Sequence, residues 1–272
     1  MIISIVIATY NVEETIRRCL ESVVNAKACE GYELDIVVID GGSTDGTVEI
    51  VGSFEEQIGY WETAPDRGLA HAWNKGVSHA KGDWIIFLGA DDYLWSSDSL
   101  EKMAPLLANM SNLTKIVYAC VMGVEANGKQ LGIWSSDWNR KKFAYGEMYF
   151  SHQGVFHHKT LFTQYGMFDE SYCFALDYEL MLRYLVNYDA IFIPDVIVSA
   201  MQSGGMSNTP NNAIRTLQEL ARARRKNNVS RGSINYYRAV IGAYGKLILA
   251  KLLGNKWAAR CVESKKAYIP LK

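Results

Sequence analysis

The 272-residue sequence predicts an α/β fold in which helices flank a mainly parallel β-sheet. In the first hundred residues, short runs of β-branched and apolar residues alternate with amphipathic stretches at helical spacing. Hydrophobic residues make up 49% of the chain, which is enough for a substantial core and excludes a disordered protein. The length suits one large domain with an appended helical segment.

Predicted strands and helices alternate up to residue 92. The strands are expected at residues 2–8, 34–39, 58–62 and 84–88, and the helices at 13–24, 44–51 and 69–79. Further elements are expected as a helix at 99–107, strands at 116–124 and 130–134 joined by a hairpin turn at Asn127-Gly128, a helix at 178–188 and a strand at 190–193. The hairpin predicts an antiparallel addition to the sheet. A loop at 203–208 follows, and the rest of the chain has a helical pattern.

The cysteines and the apolar runs indicate the cellular compartment. Five cysteines, an odd number without a CxxC pair, predict neither a disulfide framework nor a zinc site and fit a reducing environment. The apolar run at residues 2–7 lacks a basic flank and is too short for a signal peptide. No run reaches the roughly 18 apolar residues of a membrane span. We therefore expect a cytoplasmic protein.

Two adjacent carboxylates, Asp91 and Asp92, follow the apolar strand predicted at residues 84–88. Open α/β sheets bind their ligands at the carboxyl ends of the strands. Adjacent ionised carboxylates repel each other, so a divalent cation or another positive partner is a natural stabiliser. A solvated turn whose aspartates cap the next helix fits the same residues. The local pattern leaves both interpretations open.

A glycine-rich segment, residues 40–47, follows the second predicted strand in the same way. Glycines allow the backbone to approach a ligand closely, and Asp40 would accept hydrogen bonds from a base or a ribose. The segment matches neither the Walker loop nor the GxGxxG dinucleotide motif. A glycine turn followed by a capped helix is the alternative interpretation.

The combination of motifs is far more specific than either segment. The sequence resembles family 2 glycosyltransferases of the GT-A fold through five motifs in one order: Ile7-Ala8-Thr9-Tyr10-Asn11, Asp40-Gly41-Gly42-Ser43-Thr44-Asp45-Gly46-Thr47, Pro65-Asp66-Arg67-Gly68, Asn74-Lys75-Gly76 and Gly89-Ala90-Asp91-Asp92. The resemblance is strongest to bacterial enzymes that build surface polysaccharides, O-antigens and exopolysaccharides. It covers roughly residues 2–208 and implies a Rossmann-like mixed sheet flanked by helices. Many relatives carry Tyr-Asp at Ala70-His71, so the role of that pair does not transfer.

The resemblance implies a role for each motif. The nucleotide-sugar donor would contact Thr9, Tyr10, Asn11, Asp40, Asp66, Arg67, Asn74 and Asp91, with Asp40 reading the uracil edge of a UDP-sugar. Asp92 and Asp91 would hold Mn²⁺ or Mg²⁺ on the sugar diphosphate, since these hard cations prefer oxygen ligands. Asp92 would be the main metal ligand because the first position of the acidic motif is Gly89.

A transferase also requires a base, because a sugar hydroxyl is a poor nucleophile while it keeps its proton. The segment 174–180 resembles the family's base segment and places Asp177 at the base position, although Leu176 stands where many relatives carry Glu or Gly. A helix N-cap is the alternative role for Asp177. His152 and Gln153 resemble a motif that would orient the acceptor or approach the metal, and a structural histidine is the alternative. The loop Gly204-Gly205-Met206-Ser207 resembles a lid and equally fits an ordinary turn.

From the resemblance we expect a catalytic domain at residues 1–210, with a nucleotide-sugar-binding half at 1–95 and an acceptor and catalytic-base half at 96–210. The expected activity is inverting, metal-dependent transfer of a hexosyl or N-acetylhexosaminyl group from a UDP-sugar to a hydroxyl of a glycan or polyprenyl-diphosphate-linked acceptor. A nucleotidyltransferase and a non-catalytic nucleotide- or sugar-binding protein are the alternatives. The glycine-rich N-terminal loop typical of nucleotidyltransferases is missing.

Charge is unevenly distributed although the net charge is −1. Residues 215–272 hold 14 Lys and Arg against Glu219 and Glu263, a net charge of +12, whereas residues 1–214 carry −13. We expect residues 211–272 to form a basic helical extension that lies on an anionic membrane surface, peripheral to the inner face of the cytoplasmic membrane. Packing on the acidic domain or on another subunit fits the same pattern. No motif indicates nucleic-acid binding.

Overall fold

Helices and strands alternate along the chain, and the computed structural model describes residues 1–26, 32–204, 210–229 and 231–253. The strands are β1 (Ile2–Thr9), β2 (Glu33–Asp40), β3 (Tyr60–Thr63), β4 (Trp84–Gly89), β5 (Tyr93–Leu94), β6 (Ile116–Val124), β7 (Gln130–Trp134), β8 (Val155–His158) and β9 (Ile191–Gln202). The helices are α1 (Ile16–Val24), α2 (Thr47–Gly52), α3 (Leu69–His79), α4 (Ser99–Ala108), α5 (Arg140–Ala144), α6 (Thr160–Tyr165), α7 (Leu176–Leu185), α8 (Pro210–Lys226) and α9 (Ile234–Leu253).

The described strands form one mixed sheet in the order β3-β2-β1-β4-β8-β6-β9-β5, with β7 paired to β6. The first four strands are parallel, whereas β8 runs antiparallel to both β4 and β6. The β6–β7 hairpin turns at Asn127-Gly128, where Gly128 has a φ of 84° that favours glycine. The predicted α/β fold with an antiparallel addition is confirmed.

Successive residues of the central strands point to opposite faces of the sheet, so each strand contributes to two cores. Ile3, Ile5 and Ile7 of β1 pack with α1 and α4 on one face. Val6 packs on the other face in the core that includes α3 and α7. Because helices cover both faces, the parallel strands are continuous apolar runs rather than alternating ones.

Some elements were not predicted from the sequence. The elements β5, α5, β8 and α6 are only two to six residues long, which is too short for a periodic pattern to stand out. The last strand was predicted to end at residue 193, but β9 runs to Gln202. Pro194 follows residue 193, and the sheet accommodates this proline in a bulge, where the β9 residue paired with β6 changes from Ile193 to Ile197.

Helix α8 packs against the segment that leads into α7. Lys226 Nζ lies 2.8 Å from Asp169 and 2.9 Å from Glu179. The Arg222 guanidinium lies 3.7 Å from the ring centroid of Tyr172. These cationic side chains thus contact α7 and the segment before it rather than solvent alone, as the packing alternative requires.

The remaining extension is only partly described. Residues 205–207 of the predicted lid and residues 254–272 of the basic extension lie outside the described residues. Within the described ranges, none of the helices is long and apolar enough to cross a membrane.

Gly76 lies where α3 packs closely on β1. A Cβ atom at position 76 would lie 2.3 Å from Cγ1 of the buried Val6. We expect Gly76→Ala to lower the free energy of unfolding by about 1–3 kcal/mol, the usual cost of overpacking. Gly52→Ala is the matched control, because nothing lies within 4 Å of its Cβ position, and it should raise stability by about 0.4–1 kcal/mol. Urea denaturation measures both, and an unchanged midpoint for Gly76→Ala would contradict the close packing.

Candidate functional site

A cleft of about 1070 Å³ lies at the carboxyl edge of the parallel strands. Thr9 pairs with Asp40 and Ala8 pairs with Gly89, so the loops that follow β1, β2 and β4 meet at this edge. The end of β7, the 3-10 turn His152–Gly154 and the end of β9 contribute to the lining from the second half of the chain. The cleft therefore lies between the two predicted halves.

The lining of the cleft is acidic. Among the residues that the structure describes, no Lys or Arg lines it, whereas six carboxylates do: Glu13, Glu14, Asp45, Asp66, Asp91 and Asp92. A cleft lined by one sign of charge concentrates ions of the opposite sign. An anionic ligand such as a diphosphate would be repelled here unless a cation lay beside it.

Asp91 and Asp92 converge over the last residue of β4. A Cβ atom placed on Gly89 would lie 2.8 Å from Oδ1 of Asp91 and 2.8 Å from Oδ2 of Asp92. Only 2% of Asp92 is exposed, and burial together with the charge of Asp91 raises its pKa to about 7. The absence of a side chain at Gly89 allows the two carboxyl groups to approach one point.

Neutral donors hold Asp92 in place. Gln153 donates its side-chain N–H to Oδ2 of Asp92 at 2.9 Å, and the backbone N–H of Gln202 donates to Oδ1 at 3.0 Å. Arg18 lies behind the loop and donates to the carbonyl of Asp91 at 2.9 Å and to Oε1 of Gln202 at 3.0 Å. These contacts fix the geometry of the acidic pair and satisfy only part of its acceptor capacity.

The acidic pair fits a divalent cation. Its carboxylate oxygens are hard ligands, they converge, and their mutual repulsion is relieved by positive charge. The described residues contain no group of three or more His, Cys, Asp or Glu that could hold a metal ion. Asp91 and Asp92 would thus supply two ligand groups, with phosphate oxygens and water completing the coordination.

Asp40 is fully buried at the end of β2 and does not line the cleft. Its carboxylate accepts hydrogen bonds from Thr9, Ser43 and Thr63 side chains and from the backbone N–H groups of Gly42 and Ser43. Burial raises the pKa of Asp40, but these hydrogen bonds outweigh it and bring the pKa below its usual value. In this arrangement Asp40 organises the glycine-rich loop, and the five hydrogen bonds that its carboxylate accepts leave no free acceptor position for a nucleobase.

Tyr10, Asn11 and Asp66 all line the cleft, as does the buried Thr9. The Tyr10 side chain is 62% exposed. Asn11 has a φ of 50° and accepts the backbone N–H of Thr44 at 2.9 Å, which ties the first loop to the second. Asp66 accepts the backbone N–H of the next glycine, Gly68, at 2.8 Å. The predicted donor residues at the end of β1 and in the loop after it therefore line the same cleft as Asp66.

Arg67 and Asn74 lie away from the cleft lining. Arg67 forms an ion pair with Glu170 at 2.7 Å. Asn74 binds the backbone of Phe168 through both ends of its amide, accepting from N at 2.9 Å and donating to O at 3.0 Å. Both side chains connect the first half of the chain to the segment before α7, a contact that the sequence did not indicate.

His152 lines the cleft and packs in an aromatic cluster. Its ring centroid lies 4.8 Å from that of Trp73 and 5.4 Å from that of Phe87. Burial, with a smaller contribution from His157, lowers the pKa of His152 well below its usual value, so the ring is neutral. Its Nε2 atom has no hydrogen-bond partner among the described residues. Both of the interpretations of His152, structural and acceptor-orienting, fit this position.

Asp177 is the second residue of α7, with Ala175 at the N-cap position. The alternative role of Asp177 as the N-cap is therefore wrong. Its carboxyl group is half-buried, and loss of hydration raises its pKa to about 6. Asp177 itself does not line the cleft, but Cys173, four residues earlier, does.

Several residues of the site were missed from the sequence. Arg18, Trp73 and Gln202 contact or line the cleft, and Glu219 of α8 binds the segment before Asp177. Arg18 and Gln202 are 184 positions apart, so no local pattern joins them. The one available signal was weak: Glu219 is one of only two acidic residues in the basic extension.

Comparisons with known proteins identify the family of the chain. Residues 4–168 match the family model described as Glycosyl transferase family 2. A PGL/p-HBAD biosynthesis glycosyltransferase of Mycobacterium bovis is 32% identical over 211 residues, which cover 76% of this chain and 79% of that protein. A Mycobacterium tuberculosis protein of the same name has the same identity and coverage.

Solved structures share the fold at lower identity. The crystal structure of S. aureus TarS 1–349 in complex with UDP has a TM-score of 0.64 and 16% identity, with 98% of this chain and 76% of that chain covered. The mannosyltransferase PcManGT from Pyrobaculum calidifontis, in complex with GDP-Man and Mn²⁺, has a TM-score of 0.61 and 21% identity, with 99% and 76% covered. At these identities the likeness concerns the fold.

Proposed function

The chain belongs to glycosyl transferase family 2, and from this premise we propose that it transfers a sugar from a UDP-sugar to an acceptor hydroxyl with inversion at the anomeric carbon. The observation that carries the proposal is the acidic cleft, which converges two carboxylates at the end of β4 and contains no Lys or Arg among its described lining residues. Such a cleft suits a diphosphate that arrives with a divalent cation.

The donor would lie along the loops after β1 and β4. Tyr10 offers an exposed aromatic face for the base, and Thr9, Asn11 and Asp66 offer polar groups beside it. Asp92 and Asp91 would hold Mn²⁺ or Mg²⁺, which stabilises the negative charge that develops on the departing diphosphate. We assign Asp40, Arg67 and Asn74 the role of fixing the loops around the donor, because their polar groups contact protein rather than cleft.

Asp177 would accept the proton of the acceptor hydroxyl as that oxygen attacks the anomeric carbon. Its raised pKa, about 6, makes it a better proton acceptor than an ordinary carboxylate while it stays ionised at neutral pH. His152 and Gln153 would orient the acceptor, and the bond from Gln153 to Asp92 links the acceptor side to the acidic pair. Transfer with inversion is a single displacement at the anomeric carbon, so one general base is sufficient.

Substrate identity is the finer part of the proposal. We propose a hexosyl or N-acetylhexosaminyl donor and a glycan or polyprenyl-diphosphate-linked acceptor in bacterial surface polysaccharide or O-antigen synthesis. Solved relatives of the fold bind UDP, UDP-GlcNAc and GDP-Man, which supports a nucleotide-sugar donor. The family match argues against a nucleotidyltransferase. A binding protein without activity is the remaining alternative, and activity measurements separate it.

Replacing Asp92 tests the metal proposal. Asp92→Asn should lower Mn²⁺-dependent transfer or donor hydrolysis by more than about 100-fold, because the loss of several kcal/mol of charge stabilisation costs tenfold per 1.4 kcal/mol. Asp195→Asn, a matched change at an exposed position of β9, should keep full activity. Activity is measured as nucleoside diphosphate release. Full activity in Asp92→Asn would refute the metal assignment.

The pH dependence tests the base. A base must be deprotonated to act, and the pKa of Asp177 is about 6, so kcat at saturating Mn²⁺ should fall as the pH drops below about 6. Asp177→Asn should lower kcat by roughly 10²–10⁴-fold, the usual contribution of general base catalysis. A variant that kept kcat within a few-fold of wild type would exclude Asp177 as the base.

The α9 helix supports a membrane-facing role for the basic extension. Ile234, Tyr237, Ile241 and Tyr244 are 45–74% exposed, and their spacing of three, four and three residues places them on one face. Arg231 and Arg238 are exposed in the same segment. An apolar and aromatic face with flanking cations is typical of helices that lie on anionic lipid. Such contact would bring the cleft near a lipid-linked acceptor.

Vesicle binding tests this surface. The double variant Ile234→Ser, Ile241→Ser should bind vesicles containing phosphatidylglycerol at least about tenfold more weakly, since each buried aliphatic side chain contributes up to roughly 1.5–3 kcal/mol. Leu113→Ser is the control, because Leu113 is 72% exposed and lies just beyond α4. Sedimentation with vesicles measures both. Equal binding by the double variant and wild type would contradict the membrane proposal.

A further inference from the structure

The carboxylate of Glu219 on α8 binds the backbone just before α7. It accepts the N–H of Phe174 at 2.8 Å and that of Ala175 at 2.9 Å, and the N–H of Cys173 shares both of its oxygens at 3.0 and 3.1 Å. Three consecutive backbone donors thus point at one side chain that lies 44 to 46 positions further along the chain. Hydrogen bonds to an ionised acceptor are stronger than neutral ones.

Ala175 occupies the N-cap position of α7, and its side chain offers no acceptor. Within the helix, the N–H of Tyr178 binds the Asp177 carboxylate at 2.7 Å, whereas the N–H groups that Glu219 binds belong to residues 173–175, at and just before the N-cap. A carboxylate near a helix N-terminus interacts favourably with the helix dipole. Glu219 therefore anchors the chain where it enters α7 and brings a negative charge to that point.

We infer that Glu219 is a positioning residue for the proposed base: it fixes residues 173–175, and through them the first turn of α7 that carries Asp177. The same segment reaches the cleft, because Cys173 lines it. The basic extension would accordingly complete the active site from outside the predicted catalytic domain, in addition to any contact with a membrane. The inference rests on the proposed role of Asp177.

Neighbouring contacts keep α8 in this position. Arg222 stacks on Tyr172 and donates to the carbonyl of Ser171 at 2.7 Å. Lys226 binds Asp169 and Glu179. The segment 169–175 is therefore held by α8 at both of its ends, and Glu219 is the contact next to the base.

Two carboxylates near Asp177, those of Glu219 and Glu179, differ in their effect on its pKa. Glu219 is the charged group that raises the pKa of Asp177 beyond the effect of burial. Glu179 on the same helix pairs with Arg183 and Lys226, so its charge is balanced locally. Removing the charge of Glu219 should therefore lower the pKa of Asp177.

The experiment compares pH–rate profiles of the full-length protein and its variants. In Glu219→Gln, the amide keeps an acceptor oxygen but loses the charge, so kcat should fall by about 10- to 100-fold and the acidic limb should move to lower pH. In Glu219→Asp, the side chain keeps its charge but is one methylene shorter. We therefore expect kcat to fall, while the acidic limb of the pH–rate profile stays at the same pH. Arg225→Gln, an exposed charge change on α8, should match wild type in both. Thermal unfolding of each variant shows whether it is folded.

The outcomes separate the two claims. The positioning role is overturned if Glu219→Gln is folded, has the wild-type kcat and shows the wild-type decrease of kcat at low pH. It is also overturned if kcat of the variant falls only in proportion to the fraction of protein that is folded. If Glu219→Gln does not fold, wild-type kcat in Glu219→Asp overturns it. If Asp177→Asn retains activity, the base assignment fails regardless of what the Glu219 variants do.

Discussion

Repulsion between two adjacent carboxylates is the constraint on which the site depends. Strand β4 is buried on both faces, so it fixes the position of the loop that carries Asp91 and Asp92, and Asp92 itself is buried. The neutral Gln153 and Gln202 bind the Asp92 carboxylate, and the hydrogen bond from Arg18 goes to the Asp91 carbonyl. Among the described residues, the acidic pair thus has neutral hydrogen-bond donors rather than a cationic side chain on its carboxylates, and the ligand that we propose for it is a divalent cation with its diphosphate.

The rest of the fold brings two halves of the chain to that charge. The carboxyl ends of strands β1, β2 and β4 lie at one edge of the sheet because these strands are parallel. Each crossover returns the chain to the opposite edge, where the next strand begins. The antiparallel addition then brings the 3-10 turn at His152–Gly154 and the end of β9 to the same loop. Helix α8 completes the arrangement by holding the segment that precedes α7.

Features that depend on neighbouring residues in the chain could be predicted from the sequence, whereas contacts between distant residues could not. The parallel strands, the hairpin and the place of Asp91 and Asp92 could be predicted, because apolar runs and turn residues are local signals. The five hydrogen bonds to Asp40 and the ion pair of Arg67 with Glu170 could not, since they depend on side-chain partners from other loops. The same holds for Glu219, whose partners lie more than 40 positions earlier. Motif residues identified the region of the site, and tertiary contacts decided which of them face the cleft.

The most direct measurement of the central claim is the affinity for UDP with and without Mn²⁺, by isothermal titration calorimetry. If the acidic cleft accepts a diphosphate only together with a cation, UDP should bind at least about 100-fold more tightly with saturating Mn²⁺, a difference of about 2.7 kcal/mol. The gain should persist at 0.5 M salt, since the opposed charges lie in contact within a cleft rather than on an open surface. Equal UDP affinity in the presence of a chelator would contradict the account.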